Sequence, residues 1–183
     1  MGYLEQPAIF AHGVELNPSE IADLAASSVS IAHNPISNLK LASGVAPVTD
    51  LLAAGVIVGL ATDSVASNNN LDMFEEGRTA ALLQKMRAGD ATQFTIEQAL
   101  KALTIEGAKA LGLENKIGSL ETGKQADFIA IQPKGRLHLY PLGNMLSHLV
   151  YAVKGSDVQD VYIAGQQVVQ DGQVLTVDLE SFV

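Results

Sequence analysis

Three apolar runs recur near the start of the chain, and each ends in a side chain able to do chemistry. Pro7-Ala8-Ile9-Phe10-Ala11 closes in His12, Val29-Ser30-Ile31-Ala32 closes in His33, and Val56 to Ala61 runs into Thr62-Asp63. Short, nearly continuous runs of this kind read as buried strands of a parallel sheet covered on both faces. Helical segments separate them. Asn17-Pro18-Ser19-Glu20 offers a capping residue, a proline for the first helical position and a glutamate at capping-box spacing, with Ile21, Leu24 and Ala25 on one face. Val48, Leu51 and Leu52 mark a second helix, stopped by Gly55. This alternation is the signature of an α/β chain. In a β/α barrel the loops after the strand C-termini form the active face. One histidine at a strand end is ordinarily a satisfied structural residue, but three such ends in succession point to a shared functional face. The expectation is three adjacent parallel strands with His12, His33 and Asp63 at one edge.

Further along, Leu71 to Arg87 reads as a long helix with Leu71, Phe74, Leu82 and Met86 among its apolar positions and Gly89 beyond its end. Thr95-Ile96-Glu97-Gln98 is a capping box for a helix through Leu103, and Thr104 is read as recapping a further turn that ends at Gly112. After Gly118 the pattern becomes antiparallel. Ala126–Ile131, Val158–Ile163, Gln167–Val169 and Gln173–Leu175 read as strands, with turns at Ala164-Gly165-Gln166 and Asp171-Gly172. That tail is too short for a whole β domain and is expected to need a partner segment. The division falls near residues 1–115 and 116–183.

Composition narrows the function classes. With 48% hydrophobic and 17% charged residues among 183, the chain can build a core. Its net charge of -9 argues against nucleic acid or an anionic membrane as the main partner. The absence of cysteine excludes disulfides, thiolate metal ligands and a cysteine nucleophile. No apolar run approaches the roughly 20 residues that span a bilayer, and Met1 to Phe10 lacks the basic segment of a signal peptide. A cytoplasmic protein is expected.

Two motifs carry a family resemblance. His33-Asn34-Pro35-Ile36-Ser37-Asn38-Leu39-Lys40-Leu41 and Gly59-Leu60-Ala61-Thr62-Asp63, followed by Ser67-Asn68-Asn69-Asn70-Leu71-Asp72-Met73-Phe74-Glu75-Glu76, together resemble the amidohydrolase superfamily. More narrowly they are similar to the 5-methylthioadenosine/S-adenosylhomocysteine deaminases, in the group that also holds triazine hydrolases. Ile117 to Asp127 resembles the segment that leaves the barrel in that family, and Val161-Tyr162-Ile163-Ala164-Gly165 resembles its last hairpin. The resemblance covers nearly the whole chain, as the C-terminal part of the family's enzyme. It implies the last three strands of a TIM-like β/α barrel plus part of a composite β-sandwich. It also implies a divalent metal, zinc foremost with iron or manganese as alternatives. Asp63 is then a metal ligand that helps take a proton from the metal-bound water, His12 a catalytic histidine beside the metal, and His33 and Ser67 neighbours of a purine nucleoside-like substrate. Triazine or guanine hydrolysis is the alternative chemistry.

The chain lacks both of the family's histidine-bearing metal motifs. The family's His-x-His metal pair is missing, since His12, His33, His138 and His148 are never so spaced. His12 and Glu15 mimic the family's second metal motif, His-x-x-Glu, but the flanks of His12 match a later strand, so Glu15 reads as a loop carboxylate and His148 as structural. One retained metal ligand does not hold a transition metal tightly. The isolated chain is therefore expected to be inactive: a shortened product, one half of a split enzyme completed by an N-terminal half, or a non-catalytic scaffold. Strands cut from a closed ring leave open edges, so an oligomer is expected.

Overall fold

The computed structural model describes residues 2–178 and Ser181. Two sheets organise them. β1 (Ala8–Ala11), β2 (Val29–His33) and β3 (Val58–Leu60) form a parallel sheet in that order. β1 leads to β2 through α1 (Pro18–Ala25), and β2 to β3 through α2 (Pro35–Lys40) and α3 (Val48–Ala53). Asn17 accepts from the amides of Ser19 and Glu20, and Glu20 reaches back to the Asn17 amide, so the capping box forms as its sequence predicts. The strand register is what matters for the site. Ala11 pairs with Ala32 and His33 with Leu60. The ladder then continues through His12 N–H to Ala32 O at 2.9 Å and Ala61 N–H to His33 O at 3.0 Å. The three strand ends are thereby level, with His12, His33 and the Ala61–Asp63 segment along one edge.

β1 is less buried than its composition suggests. Its residues alternate between half-buried and exposed, and Ile9 is open to solvent. The reason is position: β1 is the edge strand, paired on one side by β2 alone among the described residues. β3 occupies the other edge but all three of its residues are buried. There Gly59 lets a helix approach, since a Cβ would lie 2.9 Å from the Cα of Gly107. Gly107 belongs to α7 (Ile105–Ala110), which follows α6 (Ile96–Leu103). Thr95 caps α6 as predicted, but Thr104 makes no capping bond to α7; its hydroxyl donates to Leu100 O of the preceding turn at 2.7 Å.

α4 (Val65–Asn68) and α5 (Met73–Ala88) follow β3. α5 starts two residues later than expected, because the Asp72 carboxylate caps it by accepting from the Phe74 and Glu75 amides. It ends at left-handed Gly89, as read. Its inward face is not its large apolar residues. Leu82 and Met86 point to solvent, while Glu76, Gly77, Ala80, Ala81 and Gln84 are buried. Small residues let the helix lie close to its neighbours, and the Gln84 amide donates to Ala46 O at 3.0 Å.

β4 (Phe128–Ile131), β5 (Val158–Ile163), β6 (Gln166–Gln170) and β7 (Gln173–Val174) make an antiparallel sheet in that order. Phe128 stacks on Tyr162 at 4.5 Å between ring centres. α8 (Met145–Tyr151) lies between β4 and β5 in sequence and sends Val150 into the core of the first sheet. Arg78 donates to Val153 O at 2.6 Å, and the Gly155 amide to Asp72 at 2.8 Å. No helix among the described residues is long and apolar enough to cross a membrane.

Candidate active site

Asp63 is the centre of the level strand ends. It follows β3 by three residues and sits at φ 63°, in the left-handed region, which aspartate tolerates better than most residues. Two hydroxyls converge on one of its oxygens. Ser37 donates to Oδ2 at 2.7 Å from α2, and Ser67 donates to the same atom at 2.9 Å from α4. These two bonds, with the Ser64 amide and the nearby His12, hold the carboxyl below the usual aspartate range against the opposing effect of desolvation. Asp63 is therefore ionised at neutral pH.

His12 faces Asp63 across the edge. It also has left-handed backbone, at φ 69°. Its Nδ1 donates to Asn38 Oδ1 at 2.9 Å, which fixes the ring and directs Nε2 towards Asp63 Oδ2 at 3.9 Å. That separation is ion-pair range and too long for a hydrogen bond. Both side chains remain open to solvent, so a molecule at this edge can reach them. The arrangement can bind, orient and exchange protons: a fixed carboxylate, and an imidazole with one nitrogen anchored and the other presented.

His33 behaves differently. Its side chain is 1% exposed and neither ring nitrogen has a hydrogen-bond partner. Burial first, and the neighbouring His12 second, push its pKa from 6.5 down to about 4, so the ring is neutral. Asn34 Oδ1 and Asn38 Nδ2 are likewise buried without partners. Ser67, expected beside a substrate, donates its hydroxyl to Asp63. Glu15 is exposed. His148 donates to Pro141 O at 3.0 Å, and His138 pairs with the buried Asp157 at 2.8 Å.

Ser37 and Asn38 also serve this site, through Asp63 and His12, and nothing in the sequence around them marks that role. A hydroxyl or amide inside a short helix carries no period that marks it. A concavity of about 700 Å³ lies at the opposite end of the strands, bordered by Pro7, Val29, Val56 and Gly112, and none of the residues above lines it.

A metal was also expected here. Among the described residues no three of His, Cys, Asp and Glu gather closely enough to hold an ion. Asp63 and His12 alone fall short of the roughly three protein ligands a catalytic zinc uses. The donor set of the described residues does not by itself fit a metal.

Comparison with known proteins gives a consistent picture. A model of the amidohydrolase family matches residues 2–168. A Bacillus cereus protein named 5-methylthioadenosine/S-adenosylhomocysteine deaminase is 53% identical over 182 residues, covering 100% of this chain and 42% of the relative. The chain thus spans well under half the length of that relative, its C-terminal part. Among solved structures, an adenosine deaminase from Xanthomonas campestris with bound zinc superposes with a TM-score of 0.91 at 43% identity, over 94% of this chain and 39% of that one. An atrazine chlorohydrolase from Arthrobacter aurescens, complexed with zinc, gives 0.83 at 29% identity, over 94% and 38%.

Proposed function

The chain belongs to the amidohydrolase family, and from that premise we propose that it is the C-terminal part of a hydrolytic deaminase acting on a purine nucleoside-like substrate. The observation that carries this reading is the 53% identity to a 5-methylthioadenosine/S-adenosylhomocysteine deaminase along the whole chain, with Asp63 and His12 facing each other on the strand edge. On this reading residues 1–115 are the last three strands of a β/α barrel with their helices, and residues 116–183 are its exit segment and part of a sandwich. The level ends of β1, β2 and β3 support the first part, and the separate antiparallel sheet supports the second.

Hydrolytic deamination replaces an amino group on a ring carbon by oxygen and releases ammonia. It needs a proton removed from water and a proton delivered to the leaving nitrogen. In this chain His12 Nε2 is the presented proton carrier. Asp63, kept ionised by Ser37 and Ser67, stabilises positive charge as His12 takes a proton. His33, neutral and buried behind the same edge, keeps two unpartnered ring nitrogens and is the residue proposed to meet substrate in the completed enzyme. The zinc named for the similar structures would be the completed enzyme's metal, with Asp63 one of its ligands. The remaining ligands would come from the N-terminal portion that the relatives have and this chain does not cover. Among the described residues, this chain's own side chains do not hold that metal.

A substrate panel tests the reading. The N-terminal portion of the Bacillus cereus relative, joined to this chain as one polypeptide, is offered 5-methylthioadenosine, S-adenosylhomocysteine, adenosine, guanine and atrazine. Ammonia is followed for the purines and chloride for atrazine, and turnover of the first two at the highest kcat/KM is the expected result. Preference for atrazine or guanine would replace this reading by the alternative chemistry.

A further inference from the structure

Glu76 is the one carboxylate in α5 that is fully buried, and nothing in the chemistry above uses it. Burial of an acid is costly unless its oxygens are matched to donors. Here burial pushes the carboxyl up to about 7, while two hydrogen bonds pull the other way. The Ile36 amide donates to Oε2 at 3.3 Å, and Asn68 Nδ2 donates to Oε1. The donors stand at meaningful places. Ile36 directly precedes Ser37 in α2, and Asn68 directly follows Ser67 in α4. Asn68 Nδ2 also donates to Thr62 O at 3.0 Å, the carbonyl just before Asp63, and Asn68 Oδ1 accepts from the Leu71 amide at 2.9 Å. On the solvent side Lys40 spans the same two helices, donating to Ala66 O at 2.8 Å and Asn69 Oδ1 at 2.5 Å.

α2 and α4 are short, six and four residues, and neither has a side-chain cap. Helices of that length are not stable in themselves. Their relative placement needs groups that bridge them, and beside Lys40 on the solvent side and Asp63 itself, Glu76 is a buried group that touches both. We propose that Glu76 is a positioning residue for Asp63: its two oxygens tie α2 to α4 from beneath, so that the Ser37 and Ser67 hydroxyls meet on Asp63 Oδ2. A bridge of this kind explains why an acid, rather than a leucine or methionine of similar volume, fills a fully buried position against small residues. The consequence for turnover rests on the deaminase reading; the structural claim does not.

The test reads Asp63 directly. The 183-residue chain is labelled with ¹³C at aspartate Cγ, the Asp63 resonance is assigned by its loss in Asp63→Asn, and spectra are taken at mildly alkaline pH. The Ser37→Ala/Ser67→Ala double variant marks where the resonance falls without the two hydroxyls. Glu76→Met keeps the volume and removes both acceptors, and is expected to move the Asp63 resonance most of the way to that mark. Glu76→Gln keeps one acceptor and is expected to move it in the same direction by less. A role confined to packing would lower the melting temperature and leave the Asp63 resonance in its wild-type place in both variants, which overturns the proposal. If Glu76→Met does not fold, Glu76→Gln decides alone: a wild-type Asp63 resonance overturns, a displaced one supports. This readout needs no catalysis, so an inactive fused enzyme would sink the deaminase reading without touching it.

Discussion

His33 and Glu76 are buried titratable groups with opposite effects on stability. His33 is held neutral with its pKa near 4 instead of 6.5, so the unfolded chain binds the extra proton as pH falls. Its contribution is fully present above 6.5 and is lost as pH drops towards 4, by up to roughly 3 kcal/mol at about 1.4 kcal/mol per unit. Glu76 has its pKa raised from 4.5 to about 7, so the folded chain holds the extra proton. Its contribution is present below 4.5 and is lost as pH rises through 7. Between 4.5 and 6.5 the two slopes oppose. Urea unfolding of Glu76→Gln should therefore show stability climbing with pH across that window more steeply than wild type, while His33→Leu should show the reverse. Identical pH profiles for all three proteins would mean that neither group titrates as its burial implies. At this scale Asp63, His12 and His33 were legible, because polar residues closing apolar runs stand out. Ser37, Asn38 and Glu76 were not. Their importance lies in which atoms they meet across 26 to 40 residues of chain, and no local pattern records that.

The elements most visible in the sequence are those with their own stop and start chemistry. Asn17 to Glu20 and Thr95 to Gln98 spell capping boxes and formed them. Asn17→Ala should cost about 1 kcal/mol, measured by chemical denaturation. α2 and α4 escaped notice, being too short to show a period. The inward face of α5 is set by Gly77, Ala80 and Ala81, which allow close packing, and a list of its large apolar residues does not reveal that rotation. The same logic governs β3 and α7. A methyl on Gly59 would press into the Gly107 backbone, which cannot give as a flexible side chain can. Gly59→Ala should destabilise the chain by about 1–3 kcal/mol. It should also disturb the segment carrying Asp63, which leaves β3 three residues later. A melting temperature equal to wild type would show that α7 slides freely over the sheet.

At the level of the whole molecule, two surfaces stand open. Among the described residues β1 carries an unpaired edge with Ile9 exposed, and the antiparallel sheet shows Phe128, Ile129 and Ile163 to solvent. Apolar strand edges recruit other strands. The chain at micromolar concentration should sediment as an oligomer, and a clean 19.2 kDa monomer would contradict that. On the proposed reading, these open surfaces are where the N-terminal portion of the relatives would pack. The direct measurement is ammonia release from 5-methylthioadenosine by three proteins: the 183-residue chain alone, the chain joined to the N-terminal portion of the Bacillus cereus relative, and that joined protein carrying Asp63→Asn. The account predicts no turnover above buffer for the first, turnover for the second, and a loss of at least about a thousandfold for the third. Turnover by the isolated chain, or a joined protein indifferent to Asp63→Asn, would contradict it.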